Sequence, residues 1–147
     1  MDKKQIAKMY VDFNEYHAMA PNWEWFADSE EDAVDQVAEW LADGGYVSEF
    51  QLEVACAMSY GPHDPDYTAL GITLIRALLI VELANKIRDF WDVDGYGLED
   101  LDDTLAGIEN HPEALADNIM RELKENEPTP ERLNLANDCM DCLGALL

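Results

Sequence analysis

The stretch that decides the fold is LGITLIRALLIVELA at residues 70–84, in which Arg76 and Glu82 are the charged side chains. When it is drawn as a helix it is apolar on nearly every side, which is typical of a buried helix. A membrane span needs about 20 apolar residues. The run holds 15 residues with two charges, which argues against a span. We therefore expect a long helix from Pro65 to about Trp91 at the centre of the protein.

The chain on both sides of this helix predicts further helices, because apolar residues recur at spacings of three and four and strand-like alternation hardly appears. Asp28 and Ser29 are each plausible N-caps for a helix that is ended by Asp43, Gly44 and Gly45. Ser48, with Gln51 three residues later, has the pattern of a capping box that opens the next helix.

The predicted fold class is all-α, a compact bundle of about six to seven helices around the long central helix. Pro112 and the pair Thr129 and Pro130 are expected to start the last two helices. We expect one acidic all-helical domain over residues 1–147. The side chains predicted to face inward outside the central helix are Ile6, Met9, Tyr10, Phe13, His17, Val34, Val37, Ala38, Leu41, Leu98, Leu101, Leu105, Ile108, Leu115, Ile119, Met120, Leu123, Leu133, Ala136, Met140 and Leu143.

The composition is that of a folded polyanion. Asp and Glu number 32 against nine Lys and Arg, for a formal net charge of -23, yet 48% of the residues are hydrophobic and 10% are aromatic. Disordered acidic tails lack such aromatic content. A charge of this size repels nucleic acid and anionic membranes and attracts basic protein surfaces. Direct binding of DNA, RNA or membrane is therefore not expected.

Location and thiol state are predicted from the N-terminus and the cysteines. The opening MDKKQIAKMY has no apolar run of the kind that signal peptides carry, so we expect a cytoplasmic protein. Cys56, Cys139 and Cys142 are too few for a disulfide framework and are expected to be reduced. The CMDC of residues 139–142 has metal or thiol-exchange spacing, but partner ligands and a βαβ setting are lacking, which favours a half-buried pair of thiols.

The stretch DVDGYGLEDLDD at residues 92–103 raises the alternative of a calcium loop. With Gly97 at the sixth position of an EF-hand loop, Asp92 and Asp94 fall on ligand positions. Tyr96 then occupies the fifth position, and Asp103 occupies the twelfth in place of Glu. We therefore interpret the stretch as anionic surface.

Residues for catalysis do not form a recognisable pattern. His17, His63 and His111 are scattered, and none belongs to a Ser, Cys or metal constellation. With 32 carboxylates in the chain, a pair of them carries no information about acid and base chemistry. We expect no enzymatic activity, no cofactor and no metal.

The distribution of charge is the most informative feature. Residues 10–75 hold fourteen Asp and Glu, and residues 89–120 hold ten, in both cases without a Lys or Arg. Ordinary helix surfaces alternate the two signs because opposite charges at i and i+4 are stabilising and like charges are not. The chain forgoes this stabilisation over most of its length. This indicates that the excess of negative charge has a functional role.

One predicted helix carries a row of carboxylates nearly opposite its apolar face. At about 100° per residue its acids fall within an arc of about 80°, with a rise of roughly 4.5 to 6 Å between neighbours. Phosphates along a DNA strand have an axial spacing of about 3.4 Å and lie farther apart along the backbone, so such a row can occupy phosphate positions on a basic protein. The predicted row is Asp28, Asp32, Asp35, Glu39 and Asp43, and the predicted second part of this partner-binding surface is Asp92, Asp94, Glu99, Asp100, Asp102 and Asp103.

A small helical domain with extreme acidity, many aromatic residues and a long central helix resembles the phage-encoded DNA mimics, such as the Ocr-like anti-restriction proteins and some anti-CRISPR proteins. The resemblance concerns the general layout of the chain and no signature motif. It implies an inhibitor, often a dimer, that occupies the DNA groove of a restriction or CRISPR enzyme. The N-terminal MDKK and the basic residues Arg121, Lys124 and Arg132 depart from this layout and are expected to serve folding or self-association.

Two alternatives remain. An immunity-type protein that neutralises a basic nuclease toxin would gather its charge in one patch beside aromatic anchors such as Trp23, Trp25 and Tyr46. A housekeeping protein of a halophile would also be acidic and poor in lysine, and genes beside its own would then encode equally acidic proteins.

Overall fold

The computed structural model describes residues 1–16, 23–60, 65–92, 100–127 and 129–146. Within them the chain forms α-helices and one short 3₁₀ helix and no strand, so the all-α prediction is confirmed. The elements are α1 (Lys3–Tyr16), the 3₁₀ helix (Trp23–Trp25), α2 (Glu30–Asp43), α3 (Val47–Tyr60), α4 (Pro65–Asp92), α5 (Leu101–Asn110), α6 (Pro112–Glu125) and α7 (Pro130–Leu146).

The chain divides into two compact units, Met1–Leu79 and Ile80–Leu147, and the boundary falls inside α4. Unit 1 contains α1, the 3₁₀ helix, α2, α3 and the first half of α4, and unit 2 contains the rest. Two units joined through one continuous helix are compatible with one cooperative domain or with two. The single-domain assignment therefore remains a prediction.

The bounds predicted for the long helix are confirmed, since α4 begins at Pro65 and ends at Asp92. Leu74 and Leu78 in unit 1 are fully buried, as are Val81, Leu83 and Phe90 in unit 2. By length and composition alone α4 is also long and apolar enough to cross a membrane, and 44% of its most apolar window is buried within the protein. The helix thus supplies core residues to each unit.

Local capping explains where α1 and α2 begin and end. Asp2 and Gln5 form a reciprocal capping box at the start of α1. The backbone nitrogen of Asp2 is 2.9 Å from Oε1 of Gln5, and that of Gln5 is 2.8 Å from Oδ1 of Asp2. Ser29 caps α2 by accepting the backbone N–H of Asp32 at 3.1 Å, as one of the two predicted caps would. Gly44 ends α2 in the left-handed region at φ 83°, where a side chain would be strained.

The predicted capping box at the start of α3 is wrong. The helix already begins at Val47, so Ser48 lies inside the first turn and not at the cap position. The first intrahelical bond runs from the N–H of Phe50 to the carbonyl of Tyr46. A cap at Ser48 would start the helix at Glu49, so the helix begins two residues earlier than predicted and includes the buried side chain of Val47.

Most of the predicted inward faces are buried or half-buried, but two residues in unit 2 are not. Met120 of α6 is 46% exposed and Leu133 of α7 is 42% exposed, which contradicts their predicted core positions. His17 and Leu98 lie outside the described residues. The side chain that is buried at the start of α7 is Arg132, beside the expected leucine.

The buried charge of Arg132 is stabilised by two aromatic rings and one carboxylate. Its guanidinium carbon lies 4.4 Å from the ring centre of Phe90 and 5.9 Å from that of Trp91. A guanidinium nitrogen lies 3.3 Å from a carboxylate oxygen of Glu122, whose side chain is 17% exposed. The cation therefore links α4, α6 and α7 inside unit 2.

Replacing Arg132 should test this role. We expect Arg132→Ala to lower the free energy of unfolding by about 3 kcal/mol, because it leaves the carboxylate of Glu122 largely buried without its cation. The double variant Arg132→Met with Glu122→Leu should recover most of the loss, since apolar pairs often replace buried ion pairs without cost. Urea unfolding followed by circular dichroism measures both. Equal stability of wild type and Arg132→Ala would contradict the assignment.

Candidate functional site

The predicted carboxylate row on α2 is solvent exposed in the structure. We call Asp28, Asp32, Asp35, Glu39 and Asp43 the α2 row, and all five are exposed. Asp28 precedes the extended cap residue Ser29, so the helical period does not set its direction, contrary to the sequence argument. The other four lie within α2 and still share an arc of about 80°. They lie opposite the confirmed buried face of Val34, Val37, Ala38 and Leu41.

Two lysines of α1 lie against the neighbouring edge of α2. The ammonium of Lys4 is 3.6 Å from Asp35, and that of Lys8 is 2.5 Å from Glu30 and 2.7 Å from Asp12. Hydrogen bonds to these two carboxylates raise the pKa of Lys8 above its ordinary value. The lysines therefore bind α1 to α2 and partly neutralise one side of that helix.

The remaining members of the α2 row have no such counter-ion. Asp28, Asp32, Glu39 and Asp43 make no ion pair with any residue that the structure describes. Asp35 differs because Lys4 is beside it, although both side chains remain more than half exposed. Three unpaired carboxylates on one side of α2, and that of Asp28 just before its cap, are free to receive cations from another molecule.

Some carboxylates outside the α2 row are engaged in the fold. Glu53 of α3 accepts a hydrogen bond from the hydroxyl of Tyr10, which is 4% exposed. Burial raises the pKa of Tyr10, so the hydroxyl remains a donor at neutral pH. Glu122 forms an ion pair with Arg132.

A groove of about 400 Å³ adjoins the first turns of α2. Its rim holds Trp25 of the 3₁₀ helix, whose side chain is 79% exposed. Of the other predicted aromatic anchors, Trp23 is half-buried, and Tyr46 is 45% exposed with its ring 5.9 Å from that of Trp40. The remaining lining residues of the groove are Glu24, Phe26, Ala27, Asp28, Asp32, Asp35 and Gln36.

The predicted second part of the anionic surface belongs to unit 2. Asp100 precedes α5 and Asp103 lies in its first turn, and both are exposed, whereas Asp102 is half-buried. Acids at this end of a helix are favoured by its dipole. Asp92 is the last residue of α4, and its side chain is not described. Asp94 and Glu99 lie outside the described residues, as does most of the stretch weighed as a calcium loop.

Negative charge is shared almost equally between the units. Unit 1 carries 15 acidic and 4 basic residues, and unit 2 carries 17 acidic and 5 basic residues. The acidity is therefore a property of the whole chain and is not confined to one segment.

The cysteine pair of α7 is buried more completely than the half-buried pair that the sequence predicted. Cys139 and Cys142 are buried and free, and Cys56 is exposed and free. Burial raises the pKa of Cys139 to about 12 and also raises that of Cys142. Within the ranges that the structure describes, no group of three or more His, Cys, Asp or Glu side chains could hold a metal ion.

Comparison with known proteins adds no relative. No protein-family model, curated protein or solved structure matches the chain. The resemblance to DNA mimics therefore remains a prediction, and the function must be argued from the residues of this chain.

Thiol reactivity provides a direct check of the burial of the cysteines. We expect one thiol, Cys56, to react rapidly with a disulfide reagent at pH 8, because the thiolate is the reactive form and Cys139 and Cys142 are kept protonated by burial. All three should react after unfolding in guanidinium. Cys56→Ser should abolish the rapid phase, and rapid reaction of Cys139 in the folded protein would contradict its burial.

Proposed function

We propose that the protein is an inhibitor that presents carboxylates in place of DNA phosphates and thereby blocks a DNA-binding enzyme of host defence, of the restriction or CRISPR type. The observation that carries the proposal is the α2 row, in which Asp28, Asp32, Glu39 and Asp43 are exposed without ion pairs among the described residues. A basic DNA-binding groove offers lysines and arginines to the members of the row that make no ion pair among the described residues.

Distribution of the acidity supports mimicry over a single electrostatic patch. Each unit carries a large excess of acids, as a molecule that replaces an extended duplex requires. The exposed acids at the start of α5, Asp100 and Asp103, would give unit 2 exposed negative charge of its own. On this proposal the protein acts by binding, without catalysis, cofactor or direct contact with nucleic acid.

A second candidate, an immunity-type inhibitor of a basic nuclease toxin, is favoured by the exposure of Trp25. An aromatic anchor at the centre of an interface supplies affinity that salt does not remove. The two candidates differ in their response to salt and to competing DNA. Binding of a DNA mimic to its partner is weakened by salt and by competing DNA, whereas binding of an inhibitor anchored by an aromatic ring is not.

The main test reverses three carboxylates of the α2 row. We expect the combined change Asp32→Lys, Glu39→Lys and Asp43→Lys to weaken binding of the partner by more than about 100-fold, because attraction at each position becomes repulsion and like-charge juxtaposition costs several kcal/mol. Asp35 is omitted because Lys4 already lies beside it. The measurement is affinity capture from host lysate, with the bound proteins identified by mass spectrometry.

The matched control reverses Glu125, Glu127 and Glu131, which are exposed in unit 2 and change the net charge equally. Each set contains one acid in the first turn of a helix and one at the last position of a helix, so the dipole effects are similar. The control is expected to retain the partner. Equal loss from both sets, with folding intact by circular dichroism, would show that total charge governs binding and would refute the phosphate-row argument.

Salt and duplex DNA give a second test. We expect affinity for the partner to fall steeply between physiological ionic strength and 1 M salt, since the screening length drops from about 8 Å to about 3 Å. Excess duplex should displace the protein from its partner. An affinity that neither treatment alters would reject mimicry and favour the anchored inhibitor.

Lys4 should oppose binding if the α2 row is the contact surface. We expect Lys4→Gln to strengthen partner binding about 2- to 5-fold, because it frees Asp35 and removes a cation beside the row. The fold should be retained, since exposed ion pairs of this kind contribute only about 0.2–1 kcal/mol to stability. A titration of the captured partner measures the change. Weaker binding of Lys4→Gln would place the contact surface elsewhere.

A further inference from the structure

Trp25 is an exposed aromatic side chain on a segment that is fixed to α2. The carbonyl of Trp23 accepts the N–H groups of Phe26 and Ala27 at 3.1 and 3.0 Å, which closes the short turn. The side-chain amide of Gln36 donates to the carbonyl of Phe26 at 3.2 Å. These bonds hold the backbone beside Trp25 in place, so the indole is presented to solvent from an ordered turn.

The ring next to Trp25 in sequence, that of Phe26, is half-buried. Phe26 packs against Trp40 of α2, with the ring centres 5.4 Å apart. The apolar side chain that the fold uses in this segment is therefore Phe26. Trp25 remains 79% exposed, the largest exposed fraction among the large apolar side chains that the structure describes, and its exposure costs hydrophobic free energy without a folding benefit.

The surroundings of Trp25 determine what can cover it. Its groove is lined by the four carboxylates of Glu24, Asp28, Asp32 and Asp35, and the lining contains no Lys or Arg. An uncharged or acidic segment would bury these carboxylates without compensation, which is costly. A cationic segment would be attracted by them, and a guanidinium also stacks on an indole face.

We propose that this groove binds an arginine side chain of the basic partner, with the guanidinium stacked on Trp25 and its N–H groups donated to the carboxylates of the groove. The inference rests on the proposed function because it requires a basic partner. It adds that the partner is recognised by an aromatic ring beside carboxylates, much as exposed bases and phosphates together are recognised by DNA-binding arginines.

Short peptides test the groove without the partner. The probe is a blocked peptide Lys-Gly-Arg-Gly-Lys, and its charge-matched control has Lys in place of Arg. The full-length protein is titrated with each peptide, and the indole N–H signal of Trp25 is followed by NMR after assignment with Trp25→Phe. We expect this signal to shift saturably, with affinity for the Arg peptide about 5-fold higher than for the Lys peptide.

Variants show whether the ring and the acids act together. Trp25→Leu should reduce the affinity for the Arg peptide to that for the Lys peptide, whereas Tyr46→Leu, an exposed aromatic outside the groove, should not. Asp28→Asn with Asp32→Asn should weaken both peptides. Circular dichroism of each variant confirms that the fold is retained.

The outcomes separate this inference from the proposed function. No shift of the Trp25 signal up to about 10 mM peptide, or equal binding of both peptides that is unaffected by Trp25→Leu, would overturn the arginine site while leaving the α2 row to be judged by capture of the partner. Arginine-selective binding that depends on Trp25, found together with partner capture that excess duplex DNA does not displace, would support the site and reject the DNA mimic.

Discussion

Burial of the apolar surface of α4 is the constraint on which the rest of the structure depends. A chain with a net charge of -23 repels itself, and this repulsion must be exceeded by hydrophobic burial for the chain to fold. Leu74 and Leu78 in unit 1, and Val81, Leu83 and Phe90 in unit 2, are fully buried along this one helix. The fold is therefore stabilised by its hydrophobic core. It does not depend on alternating positive and negative side chains at the surface.

Four of the nine basic residues contact carboxylates or aromatic rings of neighbouring helices. Lys4 and Lys8 connect α1 to α2, Lys86 lies 3.5 Å from Glu82 and 4.0 Å from Asp138, and Arg132 is buried against Phe90. Each of these placements stabilises an association of helices and leaves distant carboxylates without a partner. The arrangement keeps the α2 row negative on its outer side while its inner edge is held by lysines.

The surface near the start of α2 combines two kinds of recognition. The α2 row attracts cations over a distance, and Trp25 offers a flat apolar face at contact range. Electrostatic attraction mainly accelerates encounter, whereas a desolvated aromatic contact mainly slows dissociation. An inhibitor of the proposed kind would benefit from both, because it would compete with DNA for a basic groove.

Much of the fold and part of the site could be predicted from local sequence. Apolar spacing, Ser29, Gly44, Pro65 and Pro112 place helices and their ends correctly because these signals act within a few residues. The exposure of the α2 row also follows from helical periodicity opposite an apolar face. The capping box of Asp2 and Gln5 was equally local and could have been found from its spacing.

Other features depended on residues that are distant in sequence, and only the tertiary structure decided them. The pairing of Asp35 with Lys4 requires α1 to lie against α2, and the burial of Arg132 in preference to Leu133 requires Phe90, Trp91 and Glu122 around it. The exposure of Trp25 follows because Phe26 takes the place on Trp40. Helical period and composition determine which residues share a face, but the choice among neighbouring side chains for burial or pairing depends on which element packs against that face.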